Sequence, residues 1–464
     1  MNEKINNSKK QLVSSRQRTY LGITKAGNDL LGVMFNGAIL TFYVDILGMD
    51  PELFGIVMII FAVWNALNDP IFGYMSDKRS KEKGGRRLFF MRLSGPIFVA
   101  GFLMFWIAFP SFSQASFFVF LLVALFIFDT GLTIYGLNLS AILTGQTTST
   151  TERTRISVIA SVIAFVPVGL GAILPNLVLT SSMAIIYMRF IFIGMAVLAG
   201  VFMIAGSMKL REITLESKDI EPLPVLPAIK ETFKSKAFML FVIINFMFTA
   251  ISTNVVGVMP LYFKYIAQLD QIQILLISIP LGVLQIPFYF LYGYLQRKIG
   301  LRNSTFIIIG VMLIGLLGLY FKTHIVIMAL SYSLSVLMIS FWFIIVNPLI
   351  GDIADEDEMK TGRRREGMFF GINALITKPA SSLITFLFTI IISRFGYDSD
   401  LAVQTVQAQY GIRLGLSILS IAFLALTIAP LIWYPLHGRK LKEIKQELQM
   451  KHEPILKDIK QEKN

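Results

Sequence analysis

Twelve long apolar runs limit what this 464-residue chain can fold into more than any other feature of the sequence. A run of about 20 apolar residues crosses the hydrocarbon core of a bilayer, about 30 Å thick, as one α-helix. These runs are too long and too uniformly apolar for the alternating pattern of barrel strands. They lie at about residues 26–48, 53–76, 88–110, 115–144, 155–179, 183–207, 237–264, 270–296, 303–321, 325–351, 368–394 and 408–436. The sequence therefore predicts an all-α membrane protein with twelve transmembrane helices.

Composition argues against several other classes of protein. Hydrophobic residues make up 55% of the chain and charged residues only 15%, whereas soluble domains carry about 25% charged residues. The net charge of +13 is spread over short loops and tails, so it does not indicate a nucleic-acid-binding domain. The chain has no cysteine and only three scattered histidines. Disulfides and thiolate catalysis are therefore excluded, and a histidine-ligated metal centre is not expected.

The basic residues predict how the helices are oriented. Lys and Arg are concentrated in both tails, in the loops at 77–87, 145–154 and 360–365, in the 208–236 linker and in the turn that holds Arg297, Lys298 and Arg302. The loops GMDPEL and PSFSQAS, on the opposite side, carry neither residue type. By the positive-inside rule, both termini and the linker lie in the cytoplasm. We expect a multi-pass protein of the cell (plasma) membrane, and the polar start lacks the apolar core of a cleavable signal peptide.

A polar, proline-bearing linker divides the apolar runs six and six. We predict an N-terminal six-helix half with its cytoplasmic tail at 1–207, the linker at 208–236, a C-terminal half at 237–436 and a cytoplasmic tail at 437–464. The stretches GYMSDKRSKEKGGRR, from Gly73, and GYLQRKIGLRN, from Gly293, place a glycine and a basic turn at matching positions of the two halves. Any short cytoplasmic loop is basic, but the repeat favours the paired six-helix halves of major facilitator transporters.

The second apolar run carries a carboxylate inside the predicted span, in the stretch VWNALNDPIFGYMSDKR. Asp69 lies about 10 Å before the cytoplasmic end of that helix, at about 1.5 Å of rise per residue. Asn65 is one turn earlier and shares the same helix face. Pro70 frees a backbone carbonyl in the preceding turn, which can accept a hydrogen bond or bind an ion. A carboxylate in the bilayer is costly unless it meets a cation, a proton or water, so Asp69 indicates an ion pathway.

Three other charges lie within predicted spans: Asp29 in KAGNDLLG, Asp129 in FIFDTGL and Lys378 in GINALITKPASS. Together with Asp69 they are placed to surround a central cavity between the halves. Other interpretations stay open. Asp29 and Asp69 can each form a buried structural pair with an arginine or lysine, Lys378 can neutralise one of these aspartates, and Asp129 can be only a polar packing group.

Three stretches resemble the sugar:cation symporters of the glycoside-pentoside-hexuronide family, to which melibiose permease belongs. They are KAGNDLLG, WNALNDPIFGYMSDKR and GDIADEDEMKTGRRREGMFFGINALITKPASS, and the resemblance extends over essentially the whole chain. The resemblance implies that Asp29 takes part in sugar recognition, that Asp69 is one of two helix 2 acids binding the coupling cation, and that Lys378 lies near them. From this resemblance, and from the place of Asn65 and Asp129 within the predicted spans, we assign Asp69, Asn65 and Asp29 to the cation site, and Asp29, Lys378 and Asp129 to the substrate site.

The sequence also departs from the pattern of that family. Asn65 replaces the first of the two helix 2 aspartates. Gly136 stands where melibiose permease has another sugar-contacting aspartate, and Ser157 where it has a helix 5 arginine. Because the pocket has lost polar groups, we expect either a different sugar or a more apolar solute, as in the lysophospholipid carriers that resemble the same family.

The acidic segment GDIADEDEMK and the arginines that follow it predict a cytoplasmic gate. Asp352 and Asp355 are followed closely by Arg363, Arg364 and Arg365. We expect these acids and arginines to pair with one another and with the basic 77–87 loop when the protein faces outward. The alternative is a merely solvated charged loop.

We therefore expect a secondary active transporter that couples uptake of a sugar or glycoside to a cation gradient by alternating access. Trp64, Tyr135 and Trp342 are the candidate aromatic contacts of the substrate. A single buried Asp69 is readily neutralised by a proton, so the sequence favours H⁺ over Na⁺ as the coupling ion. We expect no other cofactor, no nucleic acid, and a monomer in the bilayer.

Two alternatives to sugar transport remain. The first is a carrier of a lysophospholipid or another amphipathic organic solute. The second, of a different class, is a polytopic membrane enzyme such as an acyl or glycosyl transferase. The sequence offers such an enzyme neither a His/Asp cluster nor a metal-binding acidic motif outside the GDIADEDEMK segment, so we do not expect an enzyme.

Overall fold

The structure is a computed structural model that describes residues 13–78, 86–146, 150–211, 232–321, 324–362 and 366–448. Within these ranges the regular structure is helical and includes no strand. Eleven of the described helices are long and apolar enough to cross a membrane, or twelve if one bent pair counts as a single span. The prediction of an all-α, polytopic membrane protein is confirmed.

The first seven helices each contain one predicted span. They are α1 (Ser15–Thr41), α2 (Pro51–Lys78), α3 (Arg86–Trp106), α4 (Gln114–Gly145), α5 (Thr150–Leu179), α6 (Ile185–Lys209) and α7 (Lys236–Leu261). Helices α1 and α7 each run on into a wider π-helical segment, at Phe42–Ile46 and Tyr262–Ala267.

The remaining helices begin with a run from Gln271 to Tyr320, which turns at Gly300, where φ is 82°. They are α8 (Gln271–Gln285 and Pro287–Gln296, bent by 43°), α9 (Lys298–Tyr320), α10 (Ile325–Thr361), α11 (Glu366–Arg394), α12 (Val406–Ile432, with a π-helical segment at Leu414–Ile418) and the short α13 at 438–448.

Helix α1 begins eleven residues before the predicted boundary at 26. The Ser14 side chain caps it by accepting a hydrogen bond from the Gln17 backbone N–H at 3.3 Å. The Arg18 guanidinium, within the added turns, is buried against Glu152 of α5 at 2.8 Å. Hydropathy marks only the apolar part of a helix, so these paired polar turns were missed. As a result, Asp29 lies near the middle of α1, not near its start.

Helix α10 likewise continues ten residues past its predicted end at 351. The acidic segment is therefore helical, and it ends at Gly362 in the left-handed conformation, with φ of 70°. Its alanine, glutamate, methionine and lysine residues are good helix formers, so the helix persists where the apolar pattern stops.

The chain forms two compact units. Unit 1 comprises Met1–Ile220, Val256–Ser278 and Thr385–Ile412. Within it α1 packs against α5 and α6, and α4 packs against α2 and α3. Its core is aromatic: the Trp106 and Phe192 rings stack with centroids 3.8 Å apart.

Unit 2 comprises Glu221–Val255, Ile279–Ile384 and Arg413–Asn464. Its core includes Trp342, stacked on Phe248 with centroids 4.3 Å apart. The division of the chain at the 208–236 linker stays a prediction.

Candidate cation and substrate site

A buried polar contact within the spans of unit 1 joins α2 to α4. Asn68, with no exposed surface, donates a hydrogen bond from Nδ2 to the Asp129 carboxylate, which is 3% exposed. A carboxylate this deeply buried needs hydrogen-bond donors or a positive charge beside it. The predicted substrate residue Asp129 therefore lies directly against the helix that carries the predicted cation residues.

Two amide oxygens on the same part of α2 have no hydrogen-bond donor among the described residues. The Oδ1 atoms of Asn65 and Asn68 are buried and accept no hydrogen bond within the described part of the chain. Positions 65, 68 and 69 lie within one turn, so they are neighbours on one side of α2. Asp69 is half-buried. This surface of α2 thus presents carboxylate and amide oxygens, the ligands that hard cations prefer.

Sequence reasoning did not assign a role to Asn68. Its signal was present in the spacing of NALND, where an amide three residues after Asn65 and directly before Asp69 extends the polar stripe. Its partner on α4 was not visible from sequence, because nothing in the spacing relates position 68 to position 129.

Asp29 is neutralised on its own helix. Lys25, one turn earlier on α1, forms an ion pair with its carboxylate, and Asn28 donates a hydrogen bond to it at 3.0 Å. The Asn28 Oδ1 atom is buried and accepts no hydrogen bond among the described residues. A Cβ placed on Gly136 of α4 would lie 3.9 Å from that oxygen, so position 136 faces Asn28.

The three candidate aromatic residues differ in their surroundings. Tyr135 is 1% exposed and donates its hydroxyl to the Met203 carbonyl at 3.3 Å. Trp342 has no exposed surface, and its indole N–H donates to Asn245 at 2.8 Å. Both side chains are enclosed by packing. Trp64 differs, because it is half-buried and its Nε1 has no hydrogen-bond partner among the described residues.

Lys378 lies on α11 in unit 2 and is half-buried. It is placed in the middle of a span, as the sequence predicted, since α11 runs from Glu366 to Arg394. The adjacent Thr377 turns its hydroxyl back to the Asn373 carbonyl at 2.8 Å, so it adds no free donor next to the ammonium group.

One of the two predicted gate acids, Asp352, is paired with the C-terminal helix. Lys445 of α13 lies 2.7 Å from Asp352, and Lys440 lies 2.9 Å from the neighbouring acid Glu356. Both acids are buried, while Asp355 is half-buried. The predicted partners Arg363, Arg364 and Arg365, with most of the 77–87 loop, lie outside the described residues.

Tyr434, between α12 and α13, is enclosed beside these acids. Burial, together with the nearby charges of Asp352 and Glu356, raises the pKa of its hydroxyl well above the usual value of 10. The hydroxyl therefore stays neutral.

A metal centre of the usual kind is absent from the described ranges, since they contain no group of three or more His, Cys, Asp or Glu placed to hold a metal ion. What remains is a set of helices long enough to span a bilayer, with carboxylates and amides inside the spans. Such groups in a membrane are typical of transporters, where they bind solutes and ions. The fold and site thus define a polytopic membrane transporter.

The chain belongs to the MFS/sugar transport protein family, whose model matches residues 20–438. The sodium-dependent lysophosphatidylcholine symporter 1 of Xenopus tropicalis is 22% identical over 454 residues, covering 88% of this chain and 85% of that protein. The uncharacterized symporter YjmB of Bacillus subtilis (strain 168) is 22% identical over 453 residues, covering 95% of this chain and 96% of that protein.

Solved structures agree on the fold. A D-xylose-proton symporter matches with a TM-score of 0.62 at 14% identity, covering 89% of this chain and 96% of that chain. A bacterial homolog of the human lysosomal transporter Spinster matches with a TM-score of 0.67 at 12% identity, covering 93% and 99%. The predicted major facilitator fold is confirmed.

Proposed function

We propose that this transporter is a cation-coupled symporter whose coupling ion binds between α2 and α4. The observation that carries the proposal is the contact of Asn68 with Asp129, next to Asn65 and Asp69. With Asn65 in place of the first aspartate of the family pattern, the polar stretch 65–69 of α2 carries one acid. Asp129 supplies a second acid from the facing helix, so the site retains two negative charges to offset the dehydration of a cation.

Asn68 has a positioning role in this site. Its amide N–H₂ group donates to Asp129 and holds that carboxylate beside α2, while its Oδ1 is left to bind the ion. A buried acceptor without a partner costs about 1–3 kcal/mol. Two such oxygens, on Asn65 and Asn68, are a cost that a bound cation would remove.

The same oxygens bear on the identity of the ion. A proton needs one carboxylate, and Asp69 alone would suffice, which is why the sequence favours H⁺. Several convergent carbonyl and carboxylate oxygens are instead what a hard metal cation uses. We therefore place sodium first and the proton second.

We infer the class of substrate from the accessibility of the candidate aromatic side chains and from the names of two relatives. Stacking on a sugar ring needs an accessible aromatic face, and Tyr135 and Trp342 are enclosed by packing. Of the three candidates only Trp64 is partly accessible. Two relatives that match along most of this chain, in Xenopus tropicalis and Mus musculus, are named as lysophosphatidylcholine symporters. We place a lysophospholipid-like amphiphile first and a sugar, which the family description favours, second.

The cation site is tested without knowing the solute. A ligand that binds only the folded protein stabilises it by about 2.7 kcal/mol at 100 times Kd and so raises its unfolding temperature. Purified protein is heated in NaCl or in choline chloride of equal ionic strength. Sodium should raise the unfolding temperature of the parent protein and of the control Asp400→Asn, an exposed acid. Asp69→Asn and Asp129→Asn should each lose this response.

Two outcomes contradict the proposal. If Asp129→Asn responds to sodium as the parent does, Asp129 is only a polar packing group. If the unfolding temperature of the parent follows pH but not sodium, the ion is a proton, as the sequence alone favours.

A further inference from the structure

Helices α1 and α7 end in the same local structure. The stretches FYVDILGMD (42–50) and YFKYIAQLD (262–270) both contain a π-helical segment. Each then turns through one residue in the left-handed conformation, Gly48 with φ of 75° and Gln268 with φ of 53°. The next backbone N–H closes the turn at both ends, at 2.9 Å for Met49 and 3.1 Å for Leu269. This repeat places Asp45 and Tyr265 at equivalent positions.

Asp45 is the centre of a buried polar cluster at this end of unit 1. Its side chain has no exposed surface. The carboxylate accepts hydrogen bonds from Lys264 at 2.7 Å, from Tyr265 at 2.5 Å and from Tyr397 at 2.6 Å. The donors come from the end of α7 and from the segment after α11, so one acid on α1 connects three parts of the chain.

Tyr397 stays protonated in this cluster. It lies outside the spanning segments, and burial together with the charge of Asp45 raises the pKa of its hydroxyl well above 10. It is therefore a hydrogen-bond donor at every physiological pH, and its bond to Asp45 is charge-assisted.

Helices α2 and α11 also come close at this end. A Cβ added to Gly55 of α2 would lie 3.3 Å from the Cα of Phe386, so a larger residue would force the two helices apart. Further out, Glu52 accepts a hydrogen bond from Ser393 at 3.0 Å. This outer contact is more exposed and contributes less than the buried cluster.

We propose that Asp45, Lys264, Tyr265 and Tyr397 form a lock that holds the outer end of the transporter closed and opens during the transport cycle. The outer end is the one predicted to face away from the cytoplasm. This inference goes beyond the proposed function, since it holds for any ion or solute.

The chemistry of the cluster suits a reversible contact better than a permanent brace. Burying an ion pair costs dehydration that its Coulomb attraction only partly offsets, so apolar residues of similar volume would often hold the segments together more tightly. When the segments separate, water can solvate both Asp45 and Lys264, and the penalty for opening is therefore small. The hydrogen-bond geometry still specifies a single closed arrangement.

The test uses the absence of cysteine from the chain. Ala115→Cys and Asp400→Cys place two spin labels on exposed positions at the outer end, in the first turn of α4 and after α11. Pulsed electron paramagnetic resonance on the purified full-length protein then gives the distribution of distances between them. Asp45→Asn keeps the shape of the side chain but removes the charge-assisted bonds. It should raise the ratio of long to short distances about tenfold.

Tyr265→Phe and Tyr397→Phe each delete one donor and should shift the distances in the same direction by less. The matched control is Tyr43→Phe. It deletes a buried hydroxyl that has no partner among the described residues, two positions from Asp45 in the same π-helical segment. Its distance distribution should equal that of the parent.

The proposal is wrong if Asp45→Asn keeps the parent distances and only unfolds at a lower temperature, because the cluster would then be a structural brace. If Asp45→Asn does not fold, the two tyrosine variants decide the question, and unchanged distances in both overturn the proposal. Since no solute or sodium is needed, failure of the proposed cation site leaves this result unaffected.

Discussion

At the scale of single residues, a variant of Trp342 tests whether this side chain serves packing or substrate binding. Its ring lies against Phe248, and its N–H is used by Asn245, which in turn donates to Asn373 at 2.9 Å. Trp342→Phe keeps an aromatic ring but leaves the Asn245 acceptor without that donor, at a cost of about 1–3 kcal/mol. We expect a lower unfolding temperature in detergent and unchanged solute affinity. The control Trp433→Phe, at an exposed position, should change neither.

A second residue-scale prediction concerns the charges at Asp29 and Lys378. Asp29→Asn leaves Lys25 without its ion pair, and Lys378→Ala removes a half-buried cation from α11. Both should abolish concentrative uptake while the protein still inserts and folds. The measurement is uptake into vesicles against a gradient, with size-exclusion profiles to verify folding. Near-normal uptake in both variants would reduce these residues to structural charges.

At the scale of elements, two ion pairs join α13 to α10. Lys440→Glu with Lys445→Glu would bring glutamates against Glu356 and Asp352, both buried. Like charges at such separations repel strongly, so α13 should detach. We expect chymotrypsin, which can cut after the leucines that these changes keep, to cut within 438–448 at least about tenfold faster.

The matched control for α13 is Lys442→Glu, at an exposed position on the same helix. It changes the net charge by the same amount per residue and should leave cleavage at the parent rate. Adding Glu356→Lys to Lys440→Glu restores an opposite pair and should slow cleavage again. Equal cleavage of the double variant and the parent would show that α13 is held by its apolar residues alone.

The helices also show which features of the fold and the site could be predicted from the sequence. The apolar runs predicted the helices, because lipid requires about 20 apolar residues in each span. They did not predict the first turns of α1 or the last turns of α10, where Arg18 and Glu356 are stabilised by distant partners. The Asp69 and Asn65 stripe was found from helical spacing. The contact of Asn68 with Asp129 and the cluster at Asp45 join residues 61 to 352 positions apart, and spacing carries no such information.

At the scale of the whole molecule, a symporter must link solute movement to an ion gradient. A carrier that moves readily only when its cation site is filled discourages movement of the half-loaded form. In this account, Asp69 and Asp129 provide that link. The lock at Asp45 controls only when the outer end opens. Variants of the lock should therefore change transport rates, whereas variants of the cation site should remove the coupling itself.

The most direct test of this account is uptake of radiolabelled lysophosphatidylcholine and of a panel of sugars by reconstituted vesicles. An inward sodium gradient is imposed at fixed pH with a protonophore present. We expect at least one solute to accumulate in the parent and in Asp400→Asn, and to equilibrate without accumulation in Asp129→Asn. Accumulation that ignores the sodium gradient, or that persists in Asp129→Asn, would contradict the account.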